Sequence, residues 1–187
     1  MRFIRLVMSC AILPLLIFGC IFSPKRAENK PPPPPPVYLA PTSPQNVLEN
    51  MLAAYVHRDS VEYKLVFDQA LYVGESTDQT TQPITSDSLR WGDEARHISR
   101  LARDPDILRI DLQFPPSQSW ITYPSGFVDD PPGSVSMTIT RPTLTLYTST
   151  NGDYMLGGVG QFEYRFAPTV SGGETTWKII HWTEVRQ

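Results

Sequence analysis

Six consecutive prolines, Pro31 to Pro36, form a stretch of this 187-residue chain that no hydrophobic core can include. Proline has no amide hydrogen and a fixed φ, so the run takes an extended polyproline II form rising about 3.1 Å per residue. It can join neither a helix interior nor a central strand. The segment from Cys20 to residue 42 is therefore read as a semi-rigid tether, and any globular domain has to be built after it. A PxxP ligand for an SH3-like partner is the other reading of the same run. Lys25, Arg26 and Lys30 ahead of it make a small basic cluster, thin for a headgroup-binding patch.

The residues before the tether read as an export signal. Arg2 and Arg5 precede an uncharged apolar run from Leu6 to Phe18. That run is shorter than the ~20 residues a membrane-spanning helix needs, and a basic start with a short apolar centre is the signal-peptide layout. It closes with Leu16-Ile17-Phe18-Gly19-Cys20. This ending resembles the lipobox of bacterial lipoproteins, with Phe18 bulkier than the usual small residue there. The resemblance implies a signal peptide over residues 1–19, cleavage between Gly19 and Cys20, and lipid on Cys20. It also implies membrane attachment on the exported side. Each buried CH₂ contributes about 0.8 kcal/mol, so a cysteine carrying two or three acyl chains holds stably where one chain does not. Ile21, rather than Asp, after the cysteine implies the outer membrane if the cell has two. A plain signal peptide with Cys20 as a bystander is the alternative. Cys10 falls inside the signal, which leaves no cysteine pair for an intrachain disulfide.

Residues 43–187 are enough for one domain with a real core. The formal charge of −3 becomes about −5 without Arg2 and Arg5, which argues against a nucleic-acid binder. Ser43 can cap a helix with Pro44 in its first turn. Val47, Leu48, Met51, Leu52, Tyr55 and Val56 fall on one face of that helix. Asp59 and Glu62 have capping-box spacing for a second, short helix carrying Tyr63, Leu65, Val66 and Phe67. Ala70 to Val73 reads as a short strand. A third helix is expected over Ser88 to Arg103, where Trp91, Ala95, Ile98 and Ala102 recur at helical spacing with Leu101 beside them, and Asp93 and His97 lie on the outer side.

The apolar period then changes from 3.6 to 2. Leu108, Ile110, Leu112 and Phe114 alternate with polar residues, and Val135, Met137 and Ile139 do the same. Pro142 breaks or bulges the next stretch, which continues through Leu144 and Leu146. Asn151-Gly152 marks a hairpin. Phe162, Tyr164 and Phe166 form a return strand, and Gly172-Gly173 turns the chain into the last one. There Trp177, Ile179, His181 and Val185 alternate on one side, with Ile180 and Trp182 on the other.

Three segments carry a family likeness: SPQNVLENMLAAYVHRDSVEYKLVFDQAL, LRWGDEARHISRL and WKIIHWTEV. They resemble the opening helix pair, third helix and closing strand of the nuclear transport factor 2-like (SnoaL-like) superfamily. The resemblance covers residues 43 to 187. It implies an α+β fold in which a curved, cone-shaped antiparallel sheet packs against N-terminal helices. Its motifs are packing motifs, and the superfamily includes isomerases, dehydratases, cyclases and non-catalytic binding or dimerisation modules, so fold alone leaves function open.

No catalytic position of that superfamily transfers to this chain. His57, His97 and His181 are far apart, and metal-ligand spacing is absent. Arg109 and Asp111 sit on the polar side of their strand and read as a solvated face. Asp68 reads as a turn residue. Gly157-Gly158-Val159-Gly160 has no helix after it to make a phosphate loop, and suits a bulged strand. Tyr55, Trp91, Trp177 and His181 are the candidate pocket-lining residues, with core packing as the plainer role for each and for Trp182. No cofactor or metal is expected. The leading expectation is a membrane-anchored lipoprotein with a non-catalytic cone-fold binding or protein-interaction domain. The alternatives are a lyase or isomerase acting on a small apolar substrate, and a dimeric cell-envelope structural protein.

Overall fold

The computed structural model describes residues 34–78, 85–149, 152–156 and 160–186. Gly19, Cys20, the basic cluster, the first prolines of the run, Asn151 and Gly157–Val159 lie outside them. Helix α1 (Pro44–Val56) starts as its sequence dictates: the Ser43 hydroxyl accepts from the Asn46 amide at 3.1 Å, and Pro44 occupies the first turn. Its inner face buries Val47, Leu48, Met51 and Ala54. Helix α2 (Ser60–Leu65) is capped by Asp59, whose carboxylate accepts from the amides of Val61 and Glu62. The return half of a capping box is missing, because the Asp59 amide donates to Ala54 instead.

Between these helices Arg58 holds a left-handed backbone, φ 58°. Its guanidinium donates to the carbonyls of Leu101, Ala102, Asp104 and Ile107 at 2.6 to 3.2 Å. Those carbonyls end helix α3 (Trp91–Arg103) and start strand β3 (Ile107–Gln113). One side chain thus serves the acceptors that a helix C-terminus leaves unpaired.

Strand β1 is Val73–Asp78 and β2 is Thr85–Arg90. Two expectations change here. The turn after α2 runs through Ala70 and Leu71, so the strand starts at Val73 rather than Ala70. The third helix starts at Trp91 rather than Ser88, because Ser88 to Arg90 are paired with Val73 to Glu75. β2 is an edge strand whose side chains from Ser86 to Arg90 are exposed, so it carries no apolar alternation to announce it.

The remaining strands are β4 (Thr122–Pro124), β5 (Val135–Thr140), β6 (Thr143–Thr148), β7 (Gly152–Leu156), β8 (Gln161–Ser171) and β9 (Glu174–Arg186). Among the described residues they form a large sheet in the order β2-β1-β9-β8-β5-β4 and a smaller one in the order β3-β6-β7. The expected all-antiparallel sheet is in fact mixed, because β1 lies parallel to β9. Arg141, at φ 55°, and Pro142 end β5 and let the chain leave the large sheet for the small one. The core lies between the helices and the inner face of the large sheet. It reaches back beyond Ser43: the Trp177 amide donates to Pro41, and the Asn50 side chain both accepts from the Leu39 amide and donates to the Leu39 carbonyl, each at 2.8 Å. The compact unit accordingly begins at Pro35.

Candidate functional site

The interior holds a carboxyl group among aromatic rings. Glu94, on the first turns of α3, is only 1% exposed, and its Oε1 accepts from the Tyr63 hydroxyl at 2.9 Å. Burial pushes its pKa up, and the Tyr63 hydrogen bond and nearby His97 offset only part of that. Burial and the nearness of Glu94 raise Tyr63 well above the usual phenol range, and Tyr55 is pushed up to about 12 in the same way. The Tyr72 hydroxyl and the Trp182 Nε1 are buried with no hydrogen-bond partner among the described residues. Tyr72 fits there because Gly74 has no side chain: a Cβ at that position would come within 2.8 Å of the hydroxyl.

Aromatic rings fill the space around this group. Tyr55, Tyr63, Phe67, Tyr72 and Trp91 form a chain of contacts at 4.9 to 6.2 Å between centroids. Trp182 stacks on Tyr164 at 6.0 Å and meets Phe162 edge-on at 5.6 Å. Glu94 was legible in principle. Trp91, Glu94, Ile98 and Leu101 share one helical stripe, but the sequence reading centred that stripe on Ala95 and Ala102, one residue away.

The structure separates the four candidate pocket residues. Tyr55 and Trp91 are half-buried members of the aromatic chain, Tyr55 against Tyr63 and Trp91 against Phe67 and Tyr72. Trp177 packs on the core beside the Pro41 hydrogen bond. His181 is on the other side of the sheet. On β8, Tyr164 and Phe166 point inward, and they pair with Trp182 and Ile179 of β9. Ile180 is an extra residue in that register, so the alternation slips by one. His181 therefore pairs with outward-facing Arg165, while Trp182 takes the inner face. The sequence alternation had put His181 with Trp177 and Ile179, and Trp182 opposite them.

On its outer side His181 Nε2 lies 3.0 Å from the Thr183 hydroxyl and 3.5 Å from a Glu75 carboxylate oxygen. Burial and then Arg165 hold its pKa below the usual histidine range, with Glu75 opposing. Arg165 donates to Asp130 Oδ1 at 2.8 Å and lies 4.0 Å over the Phe127 ring. The loop between β4 and β5 thus arches over the sheet and is held there by a buried ion pair. Beneath it is a cleft of about 320 Å³, lined in part by Glu75, Asp130, Arg165, Ile180 and His181. Among the described residues no three His, Cys, Asp or Glu side chains are placed to hold a metal ion.

No protein-family model matches the chain, and no curated protein matches its sequence. It is similar to solved structures. One is a protein of unknown function from Mycobacterium tuberculosis, 11% identical, TM-score 0.47, over 76% of this chain and 69% of that one. A nuclear transport factor 2-like protein of unknown function in nutrient uptake from Rhodospirillum rubrum is 12% identical, TM-score 0.43, over 75% and 95%. A nuclear transport factor 2-like protein of unknown function from Pseudomonas putida is 9% identical, TM-score 0.41, over 74% and 80%. The α+β class, a sheet against N-terminal helices, rests on this chain's own elements.

Proposed function

We propose that the chain is a lipoprotein, anchored through Cys20, whose domain serves as a non-catalytic binding or interaction module. The observation that carries the second half is the interior. Interlocked rings close around the buried Glu94 carboxyl, while polar and apolar groups are presented outside. Around edge strand β4, Ile121, Tyr123 and Phe127 are each more than half exposed, and Val128 is 99% exposed. Exposed apolar residues beside an edge strand suit a protein contact better than water. The test is crosslinking in intact cells with a photoreactive side chain at Val128 or Tyr123, with one at Asp87 on the far edge as control. Products specific to the β4 edge support the module, and none at either position sinks it. The anchor is tested separately by intact mass: Cys20→Ser and wild type differing by the substitution alone would mean that no lipid is attached.

Glu94 favours a second reading, a lyase or isomerase using a buried acid. It requires the rings to part. Small neutral enones or phenols that quench tryptophan fluorescence in wild type but not in Glu94→Gln would favour it over the module.

A further inference from the structure

We propose that the cleft beneath the β4–β5 loop is a binding site for a primary alkylammonium group. It lies outside the domain interior, and its walls come from β1, β8, β9 and the loop. Three carboxylates border it, Glu75, Asp129 and Asp130, against one guanidinium, Arg165. Arg165 is already engaged, by Asp130 Oδ1 on one side and the Phe127 ring on the other. The balance left for an occupant is negative.

The second observation is Asp130 itself. Its side chain is only 9% exposed, and its other oxygen, Oδ2, is buried with no hydrogen-bond partner among the described residues. A buried acceptor left unpaired on an ionised group is costly, so this oxygen calls for a donor. Glu75, across the cleft and 45% exposed, supplies a further acceptor that a visiting group can reach. A metal ion does not suit these groups. Hard cations want about six oxygens in their first shell, whereas the described acids do not converge. A guanidinium does not suit them either, since it is matched by two oxygens of one carboxylate and Asp130 has already spent one on Arg165. An ammonium group is compact, has three rotatable donors, and needs only single oxygens at separate points. Leu71, Val73, Val128 and Ile180 line the rest of the cleft and suit an apolar stem. The volume of about 320 Å³ has room for one.

The role of this site rests on the binding-module reading, but its chemistry is tested on its own. Full-length protein in detergent is titrated with n-pentylammonium, with n-pentanol and pentanoate as neutral and anionic counterparts, by calorimetry and amide chemical shifts. Saturable binding of n-pentylammonium alone is expected, with shifts at Glu75, Val128 and His181. Glu75→Gln should weaken it about tenfold, as the loss of one nearby opposite charge implies. Asp87→Asn, the same charge change on exposed β2, should leave it unaltered. Asp130→Asn risks freeing the loop, so Glu75→Gln is the deciding variant. Equal binding of n-pentanol, or undiminished binding by Glu75→Gln, would overturn the site. N-acetyl-lysine methylamide distinguishes sources: binding as tight as n-pentylammonium points to a lysyl side chain of a partner, much weaker binding to a free amine. A protein that crosslinks at Val128 but takes no alkylammonium refutes this site and keeps the module. One that takes alkylammonium but crosslinks nowhere does the reverse.

Discussion

Glu94 and His181 are buried on opposite sides of the large sheet, and burial moves their proton affinities in opposite directions. The Glu94 carboxyl is raised above its ordinary 4.5, so its contribution is fully present below that value and is lost as pH rises through the native pKa. The His181 imidazole is lowered below its ordinary 6.5, so its contribution is present above that value and is lost as pH falls through the native pKa. Glu94→Gln keeps an acceptor for Tyr63 and removes the ionisation. It should be more stable than wild type at pH 7, where burial penalises the ionised carboxylate that the amide replaces. The gain should vanish by pH 4. His181→Gln should instead flatten the loss of stability below pH 6.5. Urea unfolding from pH 4 to 8 checks both, and parallel curves for wild type and variant would refute the assignment. Arg58 makes a different kind of demand. Arg58→Ala loses the four-carbonyl fork and keeps the strained φ, which should cost about 3 kcal/mol. Arg58→Gly loses the fork but relieves the backbone, and should cost about 1 kcal/mol less than alanine in the same assay.

At the scale of elements, what was legible depended on whether the signal was local. The cap and apolar face of α1 could be read because Ser43, Pro44, Val47, Leu48 and Met51 state them within a few residues. The break at Pro142 was equally local. β2 was not readable, since an exposed edge strand such as Ser-Asp-Ser-Leu-Arg has no buried face and takes its conformation from β1. The parallel pairing of β1 with β9 joins segments about a hundred residues apart and leaves no mark on either. The slip at Ile180 was hidden for a related reason. Apolar residues on both sides of Ile179-Ile180-His181-Trp182 fit either register, and only the partner strand decides between them. Deletion of Ile180 removes the extra residue, so Ile179 and His181 would face Phe166 and Arg165 in an unbroken ladder and Trp182 would keep the inner face. The expected outcome is a near-ultraviolet circular dichroism spectrum of the aromatic core like that of wild type, and loss of that spectrum would refute the register. Ile180→Ala should keep that spectrum and lose about 2 kcal/mol.

For the molecule as a whole, composition assigns Tyr38, Leu39 and Pro41 to the proline-rich side. Their hydrogen bonds put them on the other. Tyr38 donates to Asp59, Leu39 is clasped by Asn50, and Pro41 accepts from Trp177. Asn50→Ala should remove both bonds to Leu39 and lower stability by about 2 kcal/mol. Faster hydrogen exchange at Leu39 than at core amides such as Ile179 would be its signature, and unchanged exchange there would mean that the clasp is idle. The candidate site was the hardest part to foresee. The cleft that His181 borders is assembled by a loop, a bulge and a parallel strand, none of which alternation reveals.

The clasp also has a mechanical side. Whatever pulls on the chain ahead of Pro35, the load enters the domain at Leu39 and Pro41, where it meets helix α1 through Asn50 and strand β9 through Trp177. β9 is bonded along one edge to β8 and along the other to β1, so tension delivered to it is spread over two ladders of hydrogen bonds. The domain is thereby hitched near the middle of its largest sheet instead of at a fraying end, and a tug on the leash should slacken Leu39 well before it disturbs the interior.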